Sequence, residues 1–218
     1  MKDVFIFAAS MDKQDEILIS CSTQFKRYGI KTLTMDDLAR NQGISKKTLY
    51  KYYKDKNDLV VKSVEYNILL DRNLMLNCCN QNMNAIEENY FVSNMILQQL
   101  TETNASFWYD LERYHPKAMA VMNNHMRVDV FKYLCDNLKR GIEEGHYRSN
   151  IKIPIIADTY LSKLGVMFEP EYYSASDYSF SDVYQEIFRY HIRGIASDKG
   201  IIVLKEKLNR ENLKSDDF

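Results

Sequence analysis

"GISKKTLYKYYKDKNDLV", residues 43–60, concentrates five lysines and three tyrosines between positions 46 and 56 of a 218-residue chain whose net charge is only −1. Ser45 is placed to cap a short helix in which Leu49 and Tyr53 form an inward-facing i,i+4 pair. Ser45, Lys46, Lys47, Thr48, Tyr50, Lys51 and Tyr52 then remain outside. A helix that buries aliphatic and aromatic groups while showing short hydroxyls, cations and tyrosines to solvent has the composition of one that enters a DNA groove.

Working outward, Thr34 begins the preceding helix, with Asp36 and Asp37 in its first turn and Met35, Leu38 and Ala39 facing inward. Gly43 closes it. Upstream, Asp12 caps a first helix whose Ile17, Cys21 and Phe25 recur every four residues, and Gly29 ends it as a left-handed cap. Lys56 opens a fourth helix carrying Leu59, Val60, Val64 and Ile68 inward. Two short helices joined through a glycine turn form a helix-turn-helix. Charge agrees with that reading: residues 26–56 hold nine basic and three acidic side chains, whereas residues 59–218 hold 18 and 22. A basic head is hidden in a neutral total. Ser45, Thr48 and Thr34 are expected to meet phosphates, as are Lys46 and Lys56; Lys47 and Lys51, one turn apart, can reach bases or two phosphates.

The stretch "TMDDLARNQGISKKTLYKYYKDKNDLV" resembles the DNA-binding segment of the TetR family, the tetracycline-repressor-like transcriptional regulators. The matching residues are Thr34, Leu38-Ala39, Gly43-Ile44-Ser45, Thr48-Leu49-Tyr50, Tyr52-Tyr53, and Lys56 followed by Asp58-Leu59. Where many relatives carry glycine, this chain has Lys47. The resemblance implies an all-α homodimer with a three-helix DNA-binding domain, here 11–57. It also implies a C-terminal helical domain, here 58–213, that dimerises and binds a small effector, with the fourth helix as lever. In relatives the last two long helices make a four-helix bundle with their mates, which directs attention to Ile156, Tyr160, Leu164, Val183, Ile187 and Tyr190 as interface residues.

The remaining chain reads as helical throughout, because glycine and proline are scarce at seven and three. Helices are expected over 84–103, 106–114, 116–144, 154–168, 181–197 and near 201–212, with 1–10 as an accessory strand or upstream extension. Trp108, Tyr109, Met126 and Phe168 are the candidate contacts for an amphipathic ligand, since aromatic rings with polar tips and adaptable methionines suit such a lining. No cofactor is expected, and none of His115, His125, His146 and His191 has metal-binding spacing. Cys21, Cys78, Cys79 and Cys135 lack CxxC spacing and read as thiols in a reducing compartment. Neither a phosphate-binding glycine loop nor a nucleophile elbow occurs, which argues against an enzyme. The expected function is a cytoplasmic, dimeric repressor on a palindromic operator, released by a small ligand. A DNA-binding dimer without an effector is the alternative, and a helical enzyme the more remote one.

Overall fold

The computed structural model describes residues 12–79, 82–167 and 178–210. Apart from an isolated antiparallel bridge between Tyr147 and Ala196, regular structure among these residues is helical. The expected accessory segment 1–10 and the end of the chain beyond residue 210 lie outside them. The chain divides into two compact units: residues up to 70 together with 103–123, and residues 71–102 together with 124 onward.

In the first unit α1 (Lys13–Tyr28) is capped by Asp12, whose side chain accepts from the Asp15 N–H at 2.9 Å. Ile17, Cys21 and Phe25 are buried, as their spacing requires. Gly29 ends the helix at φ +82°, and a Cβ there would lie 2.3 Å from Ser106 Oγ. Only glycine satisfies both demands. Next come α2 (Met35–Asn41), held by a reciprocal capping box between Thr34 and Asp37, and α3 (Lys46–Tyr52), capped by Ser45. Gly43, at φ +64°, makes the turn between them. Leu49 and Tyr53 are fully buried, and the Tyr53 hydroxyl donates to Gln14 O at 2.9 Å, tying the end of α3 to the start of α1. The long α4 (Lys56–Cys79) contributes Leu59, Val60, Val64 and Ile68 to the same core.

Two further helices complete that core. Phe107 and Leu111 of α6 (Ala105–Tyr114) and Ala118 of α7 (Pro116–His125) are buried within it, and α6 packs on α1. The expected boundary after residue 57 therefore differs from the compact grouping, which extends to residue 70 and recruits 103–123. The reason is apolar area: three short helices present more hydrophobic surface than they cover by themselves.

In the second unit α5 (Ala85–Glu102) packs on α8 (Phe131–Glu143), α10 (Phe180–Ile195) and α11 (Asp198–Arg210), while α9 (Ile153–Val166) packs on α8 and α10. Ile86, Tyr90, Leu138, Phe188, Ile192 and Leu204 fill the core. A polar knot is enclosed with them. The Tyr147 hydroxyl lies 2.9 Å from both Ala85 O and Asn137 Oδ1, and Asn137 Nδ2 donates to Glu88 Oε1 at 3.1 Å. The single helix expected over 116–144 is interrupted by a π-helical turn, Met126–Val130. There His125 Nδ1 sits 2.8 Å from Asp129 Oδ2, which also accepts from both Nε and an Nη of Arg72 on α4. An apolar period of 3.6 carries no trace of such a polar anchor.

Candidate nucleic-acid interface

The head brings the predicted DNA-binding residues together on α2, α3 and the start of α4. The hydroxyls of Ser45, Thr48 and Thr34 are already engaged in structure. Ser45 Oγ accepts from the Thr48 N–H at 3.0 Å and lies 2.8 Å from Thr48 Oγ1. Thr34 Oγ1 donates to Asp37 Oδ2 at 2.6 Å and accepts from the Asp37 N–H at 3.1 Å. These caps hold the short helices in place before any ligand arrives, since a helix of seven residues has little intrinsic stability.

Beyond the caps, Ser45, Lys47, Thr48, Tyr50 and Lys51 line a shallow concavity of about 460 Å³. Tyr50 is exposed, and neither Lys47 nor Lys51 has a carboxylate partner among the described residues. Lys46 is different: its Nζ lies 2.6 Å from Asp36 Oδ1 on α2. Tyr52, expected outside, is half-buried and packs on the core, because it follows Leu49 by three positions and so shares its face. Lys51 Nζ sits over the Tyr52 ring, 5.6 Å from its centroid.

Lys56 opens α4 half-buried. Burial pushes its ammonium below the ordinary lysine range, opposed by the carboxylates of Asp110 and Asp37. Asp110, buried on α6, also accepts from the backbone N–H of Lys31 at 2.7 Å. On the same side His115 Nδ1 lies 2.7 Å from Asn57 Oδ1. Sequence reasoning missed Asp110 and His115, and nothing local in the chain marks them.

The candidate ligand contacts are not gathered into a lining within either unit. Trp108 packs on the core of the head, edge-to-face with Phe107 at 5.1 Å, and Tyr109 is exposed beside Tyr114. Met126 is half-buried in the π-helical turn of the second unit, and Phe168 lies outside the described residues. For Trp108 the reason is the amphipathic register of α6, whose Phe107 and Leu111 serve the head.

On the second unit α9 and α10 border an open trough of about 1070 Å³. Ile155, Val183, Ile187 and Tyr190 form its apolar lining, with Tyr190 74% exposed and Ile155 58% exposed. Ile156 is half-buried. Tyr160 and Leu164 turn the other way into the unit's own core, where the Tyr160 ring stacks on buried His191 at 4.0 Å. Of the six expected interface residues these two are therefore internal. Position 160 follows 156 by four residues, but the covered stripe of α9 runs through Ala157, Tyr160 and Leu164.

Residues 22–62, which include α2, α3 and the turn between them, match the family described as "Bacterial regulatory proteins, tetR family". Over 196 residues the chain is 26% identical to the HTH-type transcriptional regulator YvaF of Bacillus subtilis (strain 168), covering 87% of this chain and 97% of that one. The helix-turn-helix segment is thus similar to that of the TetR family. Solved structures share the fold. A transcriptional regulator from Cytophaga hutchinsonii superposes with a TM-score of 0.70 at 15% identity, over 85% of this chain and 99% of that one. A regulator from Saccharomonospora viridis in complex with choline gives 0.68 at 14% identity, over 84% and 97%. TetR-family homologues are transcriptional regulators rather than enzymes. Among the described residues no group of three or more His, Cys, Asp or Glu could hold a metal ion, and no helix is long and apolar enough to cross a membrane.

Proposed function

We propose that this protein is a TetR-family regulator, a cytoplasmic homodimeric repressor that binds a palindromic operator through α3 and is released by a small amphipathic ligand. The DNA contacts lie in residues 11–57, and residues 58–213 dimerise and receive the effector. The observation that carries this reading is the pairing of two uncovered surfaces, the Lys47–Thr48–Lys51 face of α3 and the apolar trough of α9 and α10. One short helix makes too few contacts for tight specific binding, so two heads must act together, and a two-fold protein selects a two-fold site. Tyr190, Ile187, Val183 and Ile155 supply the apolar centre that a permanent interface needs, with Asp158, Lys163, Asp182 and Glu186 as its polar rim. Choline bound to the Saccharomonospora viridis regulator supports a small effector as the class of signal. Selection of bound fragments from random DNA by the purified protein, followed by operator titration with each ligand found in a thermal-shift screen, tests the reading. A palindrome whose affinity falls with a ligand supports it. Loss of the palindrome removes the dimeric-operator reading, and stabilising ligands that leave DNA affinity unchanged remove the release step.

A further inference from the structure

Lys46 is the one lysine of the 46–51 cluster whose ammonium already has an anion among the described residues. Asp36 Oδ1 lies 2.6 Å from Lys46 Nζ, and that Nζ also stands 5.8 Å from the centroid of the Tyr50 ring. Lys46 is not among the residues lining the concavity beside Lys47 and Lys51. The neighbouring Asp37 has different duties: it closes the capping box with Thr34 and lies 3.6 Å from Arg40. The ion-pair partner of Asp36 among the described residues is Lys46.

Both side chains of the pair are more than half exposed, at 57% and 53%. An exposed ion pair adds little to folding stability and is cheaply exchanged for another anion. A carboxylate held at this distance from an ammonium occupies the place that a phosphate oxygen would take. We infer that Asp36 is an intramolecular stand-in for a DNA phosphate, which masks Lys46 and so sets how tightly the head grips DNA without regard to sequence. Any backbone phosphate that reaches Lys46 must displace Asp36, and it brings less net gain than one meeting a bare lysine. Lys47 and Lys51 keep their full charge for the groove. Selectivity rises because the electrostatic term supplies essentially all of non-specific binding. A specific site retains contacts that the mask does not touch. The inference rests on α3 being the DNA-contacting helix.

The test uses the full-length protein and a fluorescein-labelled random-sequence duplex, with affinity read by anisotropy over a range of salt. Asp36→Asn is expected to bind about 5- to 10-fold more tightly at about 0.1 M salt, and the slope of log affinity against log salt should steepen by about one for each head engaged. Lys46→Gln alone should change affinity less than about twofold, and adding it to Asp36→Asn should abolish the gain, as expected for a coupled pair. Asp36→Ser, which keeps a residue tolerated in a first turn, should reproduce the effect of Asp36→Asn. Unchanged affinity and slope in both Asp36 variants would overturn the inference. So would a gain that survives in the double variant, because it would reflect general loss of negative charge. Lys47→Ala in the same titration reports on α3 separately: if it weakens binding while the Asp36 variants do nothing, the mask fails and the DNA-binding reading stands.

Discussion

The carboxylate of Asp110, on α6, accepts a hydrogen bond at 2.7 Å from the backbone N–H of Lys31, in the connection that leads into α2. Seventy-nine positions separate the two residues, yet both belong to the head. Asp110 thereby satisfies an amide of the connection between α1 and α2 that has no place in a helix ladder. Asp110→Ala should destabilise the protein by about 1.5–3 kcal/mol, the range for a hydrogen bond to a charged group. Asp110→Asn, which keeps an acceptor oxygen, should cost less. Urea denaturation compares the two; equal losses would show that the hydrogen bond is not what matters there.

Gly29 faces two separable constraints, a left-handed φ of +82° and the Ser106 Oγ that would stand 2.3 Å from an alanine methyl at this position. Gly29→Ala should therefore cost about 1–3 kcal/mol in chemical denaturation. Adding Ser106→Ala should recover only the steric share. Complete recovery would mean that the backbone conformation is not strained for alanine.

Acid should weaken the second unit through His191. Burial, with a smaller contribution from Lys163, pushes its folded-state pKa down to about 4 from an ordinary 6.5. Between those values the unfolded chain binds more protons than the folded one, so stability is present above pH about 6.5 and is lost as pH falls towards 4. The loss from this residue is on the order of 3 kcal/mol. His115, also lowered chiefly by burial, acts in the same direction. His191→Phe keeps a ring for Tyr160 to stack on and should flatten the stability profile over this range. An unchanged acid slope in that variant would show that His191 is not the titrating group.

The trough and the core beneath it make opposite predictions for neighbouring tyrosines. Tyr190→Glu places a charge on an exposed lining residue, so the monomer should fold normally while sedimentation shows loss of the dimer. Tyr160→Ala removes a buried ring and should cost about 3–5 kcal/mol of stability whatever the oligomeric state. A Tyr190→Glu protein that remains dimeric would move the interface elsewhere.

The head is legible in the sequence because its information is local. Leu49 and Tyr53 at four-residue spacing, Ser45 and Thr34 at caps, and Gly43 and Gly29 at positive φ each act within a turn or two of their own position. What stays hidden depends on residues far apart in the chain. Phe107 and Leu111 give the same apolar pattern whether they cover a ligand or the head, and α6 covers the head. Tyr160 and Ile156 are one turn apart on α9, and only packing decides which of them turns into the core. The Asp36–Lys46 pair joins two helices across the turn, where charge counting gives only a sum. Likewise, the π-helical turn is organised by Arg72, fifty-seven residues before its partner Asp129.

The most direct test of α3 as the DNA-contacting element is a fluorescence-anisotropy titration of the wild type and Lys47→Ala on the duplex recovered by selection from random DNA, repeated at several salt concentrations. Log affinity should fall linearly and steeply with log salt, and Lys47→Ala should weaken binding and alter the preference between sequences, because Lys47 stands with Lys51 on the open face of α3. An affinity independent of salt, or a Lys47→Ala protein indistinguishable from the wild type, would contradict it.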